Sequence, residues 1–348
     1  MAEQKETVHG GDIYRNPSVT DYSVNSNPLG VPEAVRKSVQ ESAERIMHYP
    51  DVRCDRLRES ISDFERIGKD KILCGNGAAE LFFATVMAVR PGKALVTAPA
   101  FSEYERALCT VGAKTVYYNL KEENDFRIEE DILQKITEDI DMVFLCNPNN
   151  PTGQTTDRNL LVRVMERCKA CGTILLLDEC FIDFLERPEV YECTGYLEAY
   201  PNMIIVKAFT KIFCMPGVRL GYAMCEDEKL RRRIRAMLQP WNVSVTAQEA
   251  GVAALTECDE YLQRTRTYVR NEKSWMIDRI RKLGMKVYGS KANYIFFYAE
   301  EELYERALSS GILIRDCRNY EGLKSGYYRV AVRSKEENER LIRWLEKL

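Results

Sequence analysis

Lys211 lies in the run Ala208-Phe209-Thr210-Lys211-Ile212-Phe213-Cys214-Met215-Pro216-Gly217-Val218-Arg219. A lysine amine can condense with an aldehyde and, once released, carry protons. Two other segments bear on it. Asp178, in Leu177-Asp178-Glu179, ends the apolar run 173–177, where a carboxylate is costly unless a cation meets it. Asn150, in Asn147-Pro148-Asn149-Asn150-Pro151-Thr152-Gly153, follows the apolar run 142–146 and can donate its amide to a phenolate-like oxygen. A lysine for an aldehyde, an acid for a protonated ring nitrogen and an amide for a ring hydroxyl together suit one planar ligand.

Three further features fit that ligand. Gly75-Asn76-Gly77-Ala78-Ala79-Glu80 joins a predicted strand to a predicted helix, and free amides at a helix start can cradle a phosphate. The segment matches neither the dinucleotide fingerprint nor the P-loop. Phe101 could stack on a ring, and Arg219, beyond the Pro216-Gly217 turn, could fold back to a phosphate. Ring, aldehyde and phosphate together point to pyridoxal phosphate. Singly, each feature has an ordinary account: a packing turn, a core phenylalanine, a salt bridge from Asp178 to a basic residue elsewhere.

These residues need elements to place them. Apolar strands are predicted at 71–74, 93–97, 114–119, 141–146, 173–177, 203–207 and 219–224, with helices at 55–66, 79–89, 101–110 and 157–170 between them. Strands buried on both faces and separated by helices imply an α/β domain with a doubly wound, mostly parallel sheet, whose ligands bind beyond the strands' carboxyl ends. Lys211 is expected in a loop after the strand 203–207. Beyond residue 233 the pattern changes. A helical stretch over 247–283 precedes strands at 286–288, 294–298, 312–315 and 327–332 and a closing helix at 335–347, which reads as a smaller α+β domain. The expected organisation is an arm at 1–30 that joins the small domain, a large domain at 31–233 and a small one at 234–348. The arm is rich in Asn, Pro and Gly and is not expected to supply a core element.

The 348 residues carry a net charge of −3, so nothing favours nucleic acid or a membrane surface as partner. The polar start and the lack of an apolar run near ~18 residues predict a cytoplasmic protein. Twelve cysteines, scattered through apolar segments, read as reduced thiols. Cys168-x-x-Cys171 lacks a second pair at metal spacing and the chain has two histidines, so no metal is expected.

The chain resembles the fold type I pyridoxal phosphate enzymes of the aminotransferase class I/II superfamily through Asn150-Pro151-Thr152-Gly153, Asp178-Glu179, Lys211 and Arg219. Within that group it is similar to the threonine-phosphate decarboxylase family of cobalamin biosynthesis, related to the histidinol-phosphate aminotransferases. The narrower likeness rests on His9-Gly10-Gly11, Asn25-Ser26-Asn27-Pro28-Leu29-Gly30, Gln239-Pro240-Trp241, the segment 312–317 and the segment 327–334. It rests also on Phe181, where the aminotransferases usually have tyrosine.

The resemblance implies that Lys211 bonds the cofactor aldehyde, Asp178 meets the ring nitrogen, Asn150 the ring oxygen, and Phe101 and Phe181 the ring. Gly77, Ala78, Ala79, Thr210 and Arg219 would hold the cofactor phosphate, with Tyr49 reaching across from a second subunit. That last role implies a homodimer with shared active sites. Arg329 would bind the substrate carboxylate, and His9, Asn27 and Arg315 would line the substrate. The implied substrate is a small phosphorylated amino acid, L-threonine O-3-phosphate or L-serine O-phosphate. The implied reaction is decarboxylation, or alternatively transamination with 2-oxoglutarate.

Overall fold

The computed structural model describes residues 9–256, 258–299 and 302–348. The first eight residues of the expected arm lie outside them. Seven strands form one sheet in the order Ile72–Gly75, Gly221–Cys225, Met203–Ala208, Ile174–Asp178, Met142–Cys146, Lys93–Ala98, Lys114–Asn119. Gly221–Cys225 runs antiparallel to both its neighbours; the remaining pairings are parallel. Side-chain alternation along each strand divides the core between the two faces. On Met142–Cys146, Val143 and Leu145 pack with Leu57, Ile61 and Phe209, while Phe144 and Cys146 pack with Leu81, Phe82 and Val96. Both faces are therefore apolar, and the strands read as continuous hydrophobic runs.

Helix ends follow local chemistry. The Asp157 carboxylate accepts from the Asn159 and Leu160 amides to open Arg158–Ala170, and Gly172, at φ +69°, turns the chain out of it. After Lys93–Ala98 the chain lays Lys114–Asn119 on the outer edge. It then crosses back to place Met142–Cys146 on the inner side. This reversal opens a crevice at the carboxyl ends of the central strands, the place where open α/β sheets bind ligands.

A second, four-stranded antiparallel sheet has the order Arg315–Asp316, Tyr327–Ala331, Tyr294–Tyr298, Lys286–Val287. Helix Asp259–Lys282 packs against Lys335–Leu345, which starts with a reciprocal Ser334–Glu337 cap. No helix among the described residues is long and apolar enough to cross a membrane.

Four local expectations are corrected. The helical stretch 247–283 is two helices, Val245–Leu255 and Asp259–Lys282. Thr256 leaves helical geometry because the first helix packs on Glu33–Ser42 and Asp55–Glu65, whereas the second serves the other sheet. The strand predicted at 312–315 divides between two sheets: Ile312–Leu313 pairs with Thr20–Asp21, and Arg315–Asp316 with Tyr327–Ala331. The N-terminal segment does contribute to a core, since Tyr22 is fully buried and its hydroxyl donates to the Glu337 carbonyl. Lys211 sits in a one-turn helix, Phe209–Ile212, rather than a loop.

Candidate active site

A cavity of about 340 Å³ opens at the crevice. Asp178, Lys211, Asn150, Ala78, Ala79, Phe101, Phe181, Thr210, Arg219, His9, Arg315 and Arg329 all line it. They come from strand ends, helix starts and the second sheet, so the cavity exists only in the folded chain.

Asp178 ends its strand, buried. Its Oδ2 accepts from the Tyr104 hydroxyl at 2.5 Å and its Oδ1 from the Cys180 amide at 2.9 Å. No cation lies within ion-pair distance among the described residues. Burial pushes its carboxyl up from the ordinary range, against the pull of those donors.

Burial also pushes the Lys211 ammonium down, to about 8, helped by the nearby positive charges of Arg329 and Arg219. A substantial neutral fraction near pH 7–8 suits an amine that must act as nucleophile and base.

Asn150 is oriented by its neighbours. An arginine can only donate, so the Arg329 Nη1 contact fixes which side of the amide is oxygen. Tyr320 also donates to that Oδ1, at 3.5 Å. The Asn150 NH2 is left as the donor edge. Arg329 Nη2 donates to the Ser23 carbonyl at 2.7 Å, and its buried Nε has no hydrogen-bond partner among the described residues.

The segment expected to cradle a phosphate lies where helix Gly77–Val89 begins. Gly77 has φ +80°, and a Cβ there would stand 2.5 Å from Arg219 Nη2. A Cβ on Gly221 would stand 2.7 Å from the Ala78 amide nitrogen. Both glycines therefore keep this corner open to close approach by backbone and guanidinium. Arg219 itself has a left-handed backbone, and its Nη1 donates to the Pro216 carbonyl at 3.4 Å.

Other predicted residues are placed less directly. His9 Nε2 lies 3.2 Å from Glu103 Oε1 on the cavity rim. Arg315 donates to Asn319 and stacks over Tyr320 at 5.0 Å. Asn27 does not line the cavity. Its amide is spent on the Ile212 carbonyl and Thr265, and its backbone N–H donates to the Lys211 carbonyl, so it grips the lysine turn from behind. Tyr49 does not line the cavity; it is 79% exposed and its ring lies 4.6 Å from that of Trp241, tilted by 30°. A larger cleft of about 730 Å³, lined by Glu65, Asp183, Lys207 and Arg266 among others, contains none of the predicted residues.

Tyr104, Cys180, Ser23 and Tyr320 were not singled out in the sequence. Only Tyr104 left a signal, since it lies three positions after Phe101 and so near it on one helical face.

Pyridoxal phosphate fits what the cavity leaves unmet. Asp178 lacks a cation, which a protonated ring nitrogen supplies. Arg219 has no carboxylate partner among the described residues and stands beside free helix amides, which suits a phosphate. Arg329 Nε awaits an acceptor, which suits a substrate carboxylate.

Comparison with known proteins agrees with this chemistry. Residues 17–345 match the family "Aminotransferase class I and II". The chain is 36% identical to a threonine-phosphate decarboxylase of Salmonella typhimurium, over 97% of this chain and 95% of that protein. The structure superposes on a histidinol-phosphate aminotransferase from Clostridium acetobutylicum with a TM-score of 0.87 and 30% identity, covering 94% of this chain and 98% of that one. An L-threonine-O-3-phosphate decarboxylase from Porphyromonas gingivalis gives a TM-score of 0.81 at 25% identity, with coverage of 94% and 98%.

Proposed function

Because the chain belongs to the aminotransferase class I and II family, we propose that it uses pyridoxal phosphate to decarboxylate L-threonine O-3-phosphate, giving aminopropanol phosphate for cobalamin synthesis. The observation that carries this reading is the full-length similarity to the Salmonella decarboxylase. L-Serine O-phosphate, one methyl smaller, differs by only ~1–3 kcal/mol in a pocket and belongs to the same proposal.

When bound, pyridoxal phosphate supplies an aldehyde for the substrate amine and a ring that draws electrons from the bond broken at Cα. The chain's residues do the rest. Asp178 keeps the ring nitrogen protonated, Asn150 donates to the ring oxygen, and Phe101 and Phe181 bound the ring. Gly77, Ala78, Ala79, Thr210 and Arg219 hold the phosphate. Lys211 gives up its place to the substrate amine and takes up that amine's proton, and its Nζ then donates a proton to Cα in place of the departed carboxylate. Arg329 orients the substrate carboxylate through its free Nε, while His9 and Arg315 face the substrate's phosphate end. Asn27 acts at one remove, by holding the Lys211 turn.

Residues 31–233 are assigned to cofactor binding and 234–348, with the arm, to the substrate side. The exposed side chains Ile46, Met47, Tyr49 and Val52, with Trp241 against Tyr49, form an apolar patch suited to a second copy of the chain. We assign it to a homodimer in which Tyr49 reaches the partner's phosphate site; a monomer in sedimentation removes that assignment. Twelve unpaired cysteines suit the reducing cytoplasm.

A second reading, transamination, is favoured by the likeness to the Clostridium aminotransferase. Incubation with L-threonine O-3-phosphate, with and without 2-oxoglutarate, separates the two. Carbon dioxide release without the keto acid supports decarboxylation. Glutamate formation that depends on the keto acid overturns it.

A further inference from the structure

We propose that Tyr104 is a positioning residue that sets both Asp178 and Phe101 for the cofactor ring. The inference rests on the pyridoxal phosphate reading and extends it to a residue that does not line the cavity.

Tyr104 is 1% exposed in helix Glu103–Cys109. Its ring is fixed on three sides. It stacks on Phe144 at 5.0 Å and 23°, meets Phe82 edge-on at 5.1 Å, and meets Phe101 edge-on at 5.8 Å and 85°. With the ring so held, its hydroxyl has one direction, and 2.5 Å away lies Asp178 Oδ2. Asp178 Oδ1 takes the Cys180 amide. The carboxylate thus has a close neutral donor on each oxygen, and the pair fixes its rotation about χ2.

Two consequences follow. A carboxylate held by neutral donors has no counter-charge beside it when a cation arrives, whereas an arginine or lysine partner would neutralise it before the cofactor arrived. In addition, one side chain touches both the group that meets the ring's edge and the group that covers its face. Tyr104 therefore sets the angle between those two surfaces. Phenylalanine at 104 would keep the packing and lose only the donor, so that burial pushes the Asp178 carboxyl further up and its orientation is released, and it meets the ring nitrogen less often as an aligned carboxylate.

The test measures binding of pyridoxal phosphate to the cofactor-free protein, for wild type and Tyr104→Phe. It repeats both with an analogue in which the ring nitrogen is replaced by carbon. We expect Tyr104→Phe to weaken pyridoxal phosphate binding about tenfold or more, because a protonated or turned Asp178 forfeits most of its charged hydrogen bond to the ring nitrogen, and to leave binding of the analogue unchanged. Equal weakening for both ligands makes Tyr104 a packing residue only and overturns the proposal. Unchanged pyridoxal phosphate binding also overturns it. A wild type that binds neither ligand defeats the cofactor reading itself, a separate outcome. A second comparison uses the Asp178→Asn background. There Tyr104→Phe should have no further effect on pyridoxal phosphate binding, and an undiminished tenfold loss shows that Tyr104 does not act through Asp178.

Discussion

Gly77→Ala isolates the phosphate cradle from the rest of the protein. Two effects are expected, and they are separable. The first is backbone strain: alanine at φ +80° costs about 1–2 kcal/mol, because Cβ crowds its own carbonyl in the left-handed region. This lowers stability with or without cofactor. The second is contact. The new Cβ would stand 2.5 Å from Arg219 Nη2, against an ordinary separation of about 3.5 Å or more, so the guanidinium must retreat by roughly 1 Å. A charged hydrogen bond to phosphate is worth ~1.5–3 kcal/mol, and losing much of it weakens pyridoxal phosphate about tenfold or more.

Gly284→Ala is the control. Its φ is +81° and no atom of the described residues beyond its chain neighbours lies within 4 Å of the added Cβ, so it carries the strain without the contact. Urea unfolding of the cofactor-free proteins should show similar losses for both variants. Cofactor titration should separate them, with only Gly77→Ala binding weakly. If both variants bind pyridoxal phosphate within twofold of wild type, Arg219 and the Gly77 turn do not form the cradle.

Further predictions concern the catalytic and buried charges. Lys211→Ala should abolish turnover and the visible absorbance of bound cofactor; retained activity removes the lysine from the mechanism. Because the Lys211 ammonium is held down at about 8, its neutral form grows as pH rises, and capture of cofactor by the free protein should accelerate from pH 6.5 to about 8 and then level. A flat rate profile contradicts that assignment. Arg329→Ala should raise KM for L-threonine O-3-phosphate by ~10–100-fold, with bound cofactor retained, and an unchanged KM takes Arg329 out of the substrate site. Lys207, buried, holds Glu65 at 2.8 and 2.9 Å, with Glu179 Oε2 at 3.9 Å. Lys207→Met should cost ~3–5 kcal/mol of stability at pH 8. Burial pushes the Glu179 carboxyl up to about 8, so protonation as pH falls should relieve part of the penalty; a penalty that grows in acid refutes the ion-pair account.

Residues with an unusual type in an unusual place were the most legible in the sequence. Asp178 could be read because a carboxylate closing an apolar run needs a reason. Ile174–Asp178 could be read because both sheet faces bury its side chains. What the sequence hid depends on contacts between distant segments. Asn27 appears as one more polar residue of a loop, yet its bonds to the Lys211 turn and to Thr265 span 185 and 238 residues. Tyr104 looks like an ordinary tyrosine of an amphipathic helix, and only the approach of Asp178, 74 residues on, gives its hydroxyl a purpose. The division of the strand at 312–316 is hidden for the same reason, because two different partners, Thr20–Asp21 and Tyr327–Ala331, claim successive residues. The Lys211 turn reads as a loop because Phe209–Ile212, one turn long, is too short to show a helical period.

The fate of the hydrogen on the substrate's Cα tests the central claim most directly. L-Threonine O-3-phosphate carrying deuterium at Cα would be incubated with the cofactor-loaded protein, and the product analysed by mass spectrometry. Decarboxylation breaks the bond to the carboxylate and spares the Cα–deuterium bond, so the account predicts aminopropanol phosphate that retains its deuterium. Deuterium lost from Cα, with a keto acid as product, would contradict it and make the protein an aminotransferase.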